Sequence, residues 1–251
     1  AHCAQLFATV LTATPPSVRK IPETPQQGLK ATNQAEQLDD APPLDRDVVE
    51  ILQRRGVLDI LTQGLQDGPS EGALAHIVHL STRPDGKTPT SFGFAPVSVD
   101  VGLLEAIPSY IAGFAVDRAR TKGEAVYEPG SSDSKILALL VRELNPEGRY
   151  YLMSAMVNQL RFPNPHTNYF SHLLLDIFGH DLDDAEETEV RQQITRILLE
   201  RLVGYWPQPW GLMVTVVELL KNEKYRFFEQ PFIKSAPEVS FAQTIVVGSR
   251  S

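Results

Sequence analysis

The chain has 251 residues, enough for one large domain or two small ones, with 42% hydrophobic and 22% charged residues, an ordinary balance for a globular protein. Its net charge of −8 is spread through both halves with no Lys/Arg cluster, which argues against direct RNA or DNA binding and for a protein partner. One cysteine, Cys3, excludes an internal disulfide framework, and no apolar run reaches the ~18 residues a membrane span needs. The chain begins Ala-His-Cys rather than with Met, which reads as a piece of something longer.

Residues 2–13 predict a short helix with Leu6, Val10 and Leu11 on one side. From Thr14 to Pro43 six prolines punctuate a polar stretch, read as an extended strap laid across helices. Asp45 or Asp47 opens the helix DVVEILQRRGVLDILTQGLQ, with Val48, Ile51, Leu52, Leu58 and Leu61 buried and Gly56 as a break or bend. Ser70 caps a helix carrying Leu74, Ile77 and Val78, and residues 81–99 form a second long connection. A helix over 101–120 follows, with Pro108 as a kink or break, and Ser132 or Asp133 starts the next.

The stretch from Asn145 to Glu238 predicts four helices in quick succession and forms the core around which the chain is organised. Asn145-Pro146 and Asn164-Pro165 pair an N-cap with a proline at the first helical position, where its missing N–H costs nothing. Asp184 with Glu187 has the form of a capping box, and Gln208-Pro209 opens the fourth helix. The apolar spacing Leu152, Met156, Leu160; Val190, Ile194, Ile197, Leu198; and Leu212, Val216, Leu219, Leu220 is helical throughout. FAPVSVDV and QTIVVGS come nearest to strands, and both are short. The fold class is therefore all-α, built as HEAT-like stacked antiparallel helix pairs with long extended connections. A compact irregular bundle is the competing architecture. Three parts follow: 1–43, short helix and strap; 44–144, divergent helix pairs; 145–251, helical core.

Six histidines invite a metal reading, but His76 and His79, three apart on one helix, lack a third ligand at zinc spacing. His166, His172 and His180 are spaced poorly for one ion. Ser154, Ser171 and Asp176 assemble a triad only on paper, since no nucleophile elbow or phosphate loop accompanies them. The acidic run DLDDAEETE at 181–189 lacks the ligand alternation and glycine of a calcium loop and reads as a solvated helix start. Two proline corners hold the densest polar-aromatic residues. The first carries Arg161, Phe162, Asn164, His166 and Tyr169, and the second carries Trp206 and Trp210. Both readings stand: aromatic wedges between helix pairs, which we favour, or anchors for a protein partner. If a partner binds, these seven residues are the binding candidates.

The segments NPEGRYYLMSAMVNQLRFPNPHTNYFSHLLLDIF (145–178), VRQQITRILLERLVGYWPQPWGLMVTVVELLKN (190–222) and FFEQPFIKSAPEV (227–239) resemble the C-terminal domain of the Not-one scaffold subunit of the Ccr–Not messenger-RNA deadenylase complex. Residues 1–20 match more weakly, through AHCAQL, and 44–144 only in helix order. The resemblance implies a HEAT-like domain with no catalytic residues to carry over; neither a cofactor nor a metal is expected. It also implies docking of the N-terminal regions of the Not-two and Not-three/five subunits, and recruitment by short peptides of regulatory proteins. It implies work in messenger-RNA decay and translational repression, in the cytoplasm with the nucleus as a second location. The chain departs from the family in more proline-rich middle loops and in matching only the later half of the family's domain. A HEAT-like scaffold of another complex, or a hydrolase, are the alternatives.

Overall fold

The computed structural model describes residues 46–82, 99–161, 163–180, 185–205 and 207–234. The expected helix at 2–13, the strap, most of the 81–99 connection, Phe162, Asp184, Trp206 and the QTIVVGS segment lie outside these residues. The described chain is all-α and HEAT-like. Its helices are α1 (Arg46–Arg54), α2 (Leu58–Asp67), α3 (Glu71–Ser81), α4 (Val101–Lys122), α5 (Ser132–Glu143), α6 (Pro146–Asn158), α7 (Pro165–Phe178), α8 (Ala185–Gly204), α9 (Trp210–Lys221) and the single turn α10 (Pro231–Lys234). The sole β feature among the described residues is an isolated antiparallel bridge, Thr82 to Val99, that pins the two ends of the 83–98 connection.

Helix starts follow local chemistry. Asn145 Oδ1 accepts from Gly148 N at 2.8 Å and Asn164 Oδ1 from Thr167 N at 3.1 Å, each ahead of a proline in the first turn. Ser70 caps α3 through Ala73 N and Asp100 caps α4 through Leu103 N. Each such cap contributes about 1 kcal/mol. Gly56 sits at φ +69 between α1 and α2 and makes the expected break, a conformation that costs a side-chain-bearing residue more. Helix α5 starts at Ser132, as expected, with Ser131 as its cap.

Two expectations change. Pro108 does not break α4, which runs unbroken for 22 residues with the proline buried inside it. A proline interior to a helix removes one backbone hydrogen bond, and the surrounding packing outweighs that loss. The centre of the molecule is α4 itself, which packs against α1, α3, α5, α6 and α7. Leu103, Leu104, Ile107, Ile111 and Ala115 bury its several faces. The 145–234 helices wrap one side of it, with α6 against α4 and α8, and α7 against α4 and α9.

Buried polar groups fix the layers. Asp133 is fully buried on α5 and pairs with Arg118 of α4, and Arg118 also reaches Val126 O, drawing the connecting loop inward. Glu187 is buried and pairs with Arg142 at 3.0 Å, while Glu189 meets the buried Arg149 at 3.7 Å. Glu187 therefore clamps α8 to α5 rather than lying solvated, while Glu189, its side chain 63% exposed, stays in water as it answers the buried Arg149.

Candidate docking surface

The corner at Asn164 sets the geometry of a groove. With Asn164 spent on capping, α7 leaves the corner at once, and Thr167 turns back so that its Oγ1 donates to Gln159 O at 2.9 Å. Helix α9 lies across this corner at unusually short range. A Cβ on Gly211 would stand 2.3 Å from Thr167 Cγ2 and 2.7 Å from Leu160 O, so only glycine permits the approach. Thr215 Oγ1 donates to Gly211 O at 2.8 Å and shares a 2.7 Å hydrogen bond with Ser171 Oγ, closing a polar seam between α7 and α9.

Above the seam, α7 and α9 form a groove of about 520 Å³. Asn164, Asn168 and His172 line one wall, Trp210, Val214 and Glu218 the other, and Leu175 and Tyr225 lie at its base. Trp210 is 70% exposed, Val214 41% and Val217 37%. Residues 210, 214 and 217 fall on one helix face, opposite the buried Leu212, Val216 and Leu219. The result is an exposed apolar ridge on a helix whose base the Gly211 contact holds rigid. His172 stacks on Tyr127 at 5.7 Å, so the loop between α4 and α5 backs the opposite wall. Burial, with Glu218 and Asp176 near, pushes the Tyr225 phenol up, keeping it neutral and a hydrogen-bond donor.

The seven sequence candidates separate. Trp210 is on the surface, against the favoured wedge reading, because it is the first residue of α9 and points away from the buried face. Asn164 lines the groove but its side-chain oxygen is spent as a cap. Arg161 is exposed and stacks over the Tyr205 ring at 4.9 Å. Tyr169 is fully buried and His166 is 7% exposed, so neither can meet a partner: both lie on the core face of α7. Tyr169 packs edge-on to Tyr127 and Phe170, and burial with Asp133 beside it holds its phenol well above the usual range. Phe162 and Trp206 fall outside the described residues.

Sequence reasoning missed Val214, Val217 and Gly211. A signal was present: the apolar residues of WGLMVTVVELL extend well beyond a single buried stripe, so some of them must face outward. Gln208-Pro209 also acts differently from expectation, with Pro209 at the N-cap and without a side-chain cap bond. The remaining candidates for chemistry disperse. His76 and His79 are exposed, Ser171 bonds Thr215, and the Ser154 hydroxyl is buried in α6. Among the described residues no group of three His, Cys, Asp or Glu converges as a metal site.

Stacked helix pairs with a rigid interhelical groove define a HEAT-like helical platform. The family model for Not1, a component of the CCR4-Not complex, matches residues 1–245, and the chain belongs to this family. The match extends well beyond the three segments that carry the resemblance. The chain is 30% identical over 239 residues to the general negative regulator of transcription subunit 1 of Schizosaccharomyces pombe, covering 95% of this chain and 11% of that protein. It is 36% identical over 140 residues to the CCR4-NOT transcription complex subunit let-711 of Caenorhabditis elegans, covering 55% of this chain and 5% of that protein. The chain thus spans only a small part of these relatives' length. Among solved structures, the NOT1 superfamily homology domain from Chaetomium thermophilum superposes with a TM-score of 0.73 at 47% identity, over 97% of this chain and 46% of that one. A Not1 C-terminal domain solved in complex with Not4 gives 0.67 at 27% identity, over 92% of this chain and 46% of that one.

Proposed function

We propose that this chain is a non-catalytic docking platform of the CCR4-Not messenger-RNA deadenylation and translational-repression machinery, holding extended segments of other subunits. The observation that carries the reading is the Trp210–Val214 ridge over the α7–α9 groove, in a chain of the Not1 family. A rigid exposed tryptophan beside a half-apolar groove is what interfaces use as an anchor, since its area is buried at little entropic cost. The Not4 complex of the related domain supports a protein occupant. The N-terminal regions of Not-two and Not-three/five are the partners we assign, and short regulatory peptides a further class. The name of the yeast relative as a transcription regulator supports a nuclear pool beside the cytoplasmic one.

The test is titration of fluorescent N-terminal regions of Not-two and Not-three/five, and of a poly(A) oligonucleotide, at low and moderate salt. Partner binding should vary little with salt and weaken about 30-fold in Trp210→Ala, the ~2 kcal/mol of a hot-spot residue. Tight poly(A) binding that collapses with salt, without partner binding, overturns the platform reading.

A further inference from the structure

A second concavity, of about 440 Å³, lies on the far side of Tyr225, which lines both. Its character is opposite to that of the groove. Arg191, Lys224, Arg226 and Lys234 line it against one carboxylate, Glu229, on a chain whose net charge is −8. Glu229 is already engaged, accepting from Arg226 Nε at 2.8 Å. Among the described residues no carboxylate lies within ion-pair reach of Arg191, Lys224 or Lys234.

The pocket is also held in shape. Arg191 donates to Phe178 O at 3.0 Å and to His180 O, capping the end of α7, and its Nη1 donates to Gln230 Oε1 at 3.5 Å. Gln230 is buried and donates in turn to Tyr225 O and Arg226 O, so one amide ties the guanidinium to the turn carrying Arg226. Arg226 is the sole non-glycine residue at positive φ among the described residues, at φ +45. That conformation disfavours any side chain other than that of glycine or asparagine, and retained strain of this kind clusters at ligand clamps.

We propose that this pocket binds a phosphoserine or phosphothreonine carried by a protein partner. A single carboxylate would leave most of the pocket's positive charge unanswered, whereas a phosphate dianion matches it more closely. A longer polyanion is disfavoured, because acidic residues at 181, 183 and 184 directly precede the helix that supplies Arg191 and Glu186 stands in its first turn. The site stands independently of the docking groove.

The experiment titrates the 251-residue chain with the peptide Gly-Ser-Gly-pSer-Gly-Ser-Gly, followed by nitrogen-15 NMR at the Gly179 amide and the Arg191 side chain. Unphosphorylated and glutamate versions of the peptide and a poly(A) 12-mer run in parallel. The phosphopeptide should bind at least tenfold more tightly than either other peptide. The exposed-residue variant K224E/K234E should lose that preference, and Trp210→Ala should keep it. Arg226→Gly, which relieves the positive φ, should weaken the phosphopeptide several-fold while holding or raising Tm. Equal binding of the three peptides, or indifference to K224E/K234E, overturns the proposal. Poly(A) binding more tightly than the phosphopeptide and lost in K224E/K234E overturns it in favour of an RNA site.

Discussion

The two proline corners look alike in sequence and end differently in space. At the first, Asn164 caps, Pro165 takes the first helical position, and the aromatic pair Tyr169–Phe170 arrives one turn later on the core side of α7. At the second, Pro209 occupies the cap position and Trp210 is itself the first helical residue, its side chain directed back and away from the buried face. Tyr169 stands only four residues further into its helix than Trp210 does in its own, a difference of about 40° in phase, so position from the cap does not separate core from surface. A large ring beside a proline is therefore a wedge or an anchor according to what packs opposite it: Tyr127 and Phe170 cover Tyr169, whereas Trp210 stays 70% exposed.

Substitutions can break this contrast, and the largest effect belongs to the first corner. Tyr169→Ala should destabilise by about 3–5 kcal/mol, the range for truncating a buried aromatic, read from urea unfolding. A loss below about 1 kcal/mol would place the ring outside the core. Gly211→Ala comes next, at roughly 1–3 kcal/mol, because the new methyl overlaps Thr167 and the Leu160 carbonyl, and the α7–α9 seam must open. An unchanged midpoint would show that the seam is not tight.

A smaller effect tracks pH through His166. Its burial lowers the imidazole below the ordinary 6.5, only partly offset by Asp117. A group depressed in the folded state stabilises fully above its unfolded value and loses that contribution as pH falls from 6.5 through the lower folded value. Thermal melts at pH 7.5 and 5.5 should thus show a larger drop for the native chain than for His166→Leu, and parallel drops would remove His166 as the cause. The smallest change in stability belongs to the second corner. Trp210→Ala should alter unfolding by no more than about 0.5 kcal/mol, as an exposed side chain does, while carrying the large loss in partner binding. A destabilisation of several kcal/mol would return the ring to the wedge role.

The all-α class, most helix starts and the break at Gly56 were legible in the sequence, because caps, prolines and apolar spacing act over a few residues. The family was legible too, in motifs such as NQLRFPNPHTNYF. The central place of α4 was not, since its several-sided burial depends on five helices that meet it from distant parts of the chain. Nor were the Glu187–Arg142 and Glu189–Arg149 pairs, which join positions far apart in sequence. The groove was the least visible feature. It rests on Gly211 touching Thr167 and Leu160, a distance set by packing, and on which face of α9 remains uncovered once α7 and α8 have taken the other. Local chemistry chose the helices of this protein. Long-range packing chose which of their apolar residues stay in water, because burial is decided by what lies opposite, and no single segment contains that information.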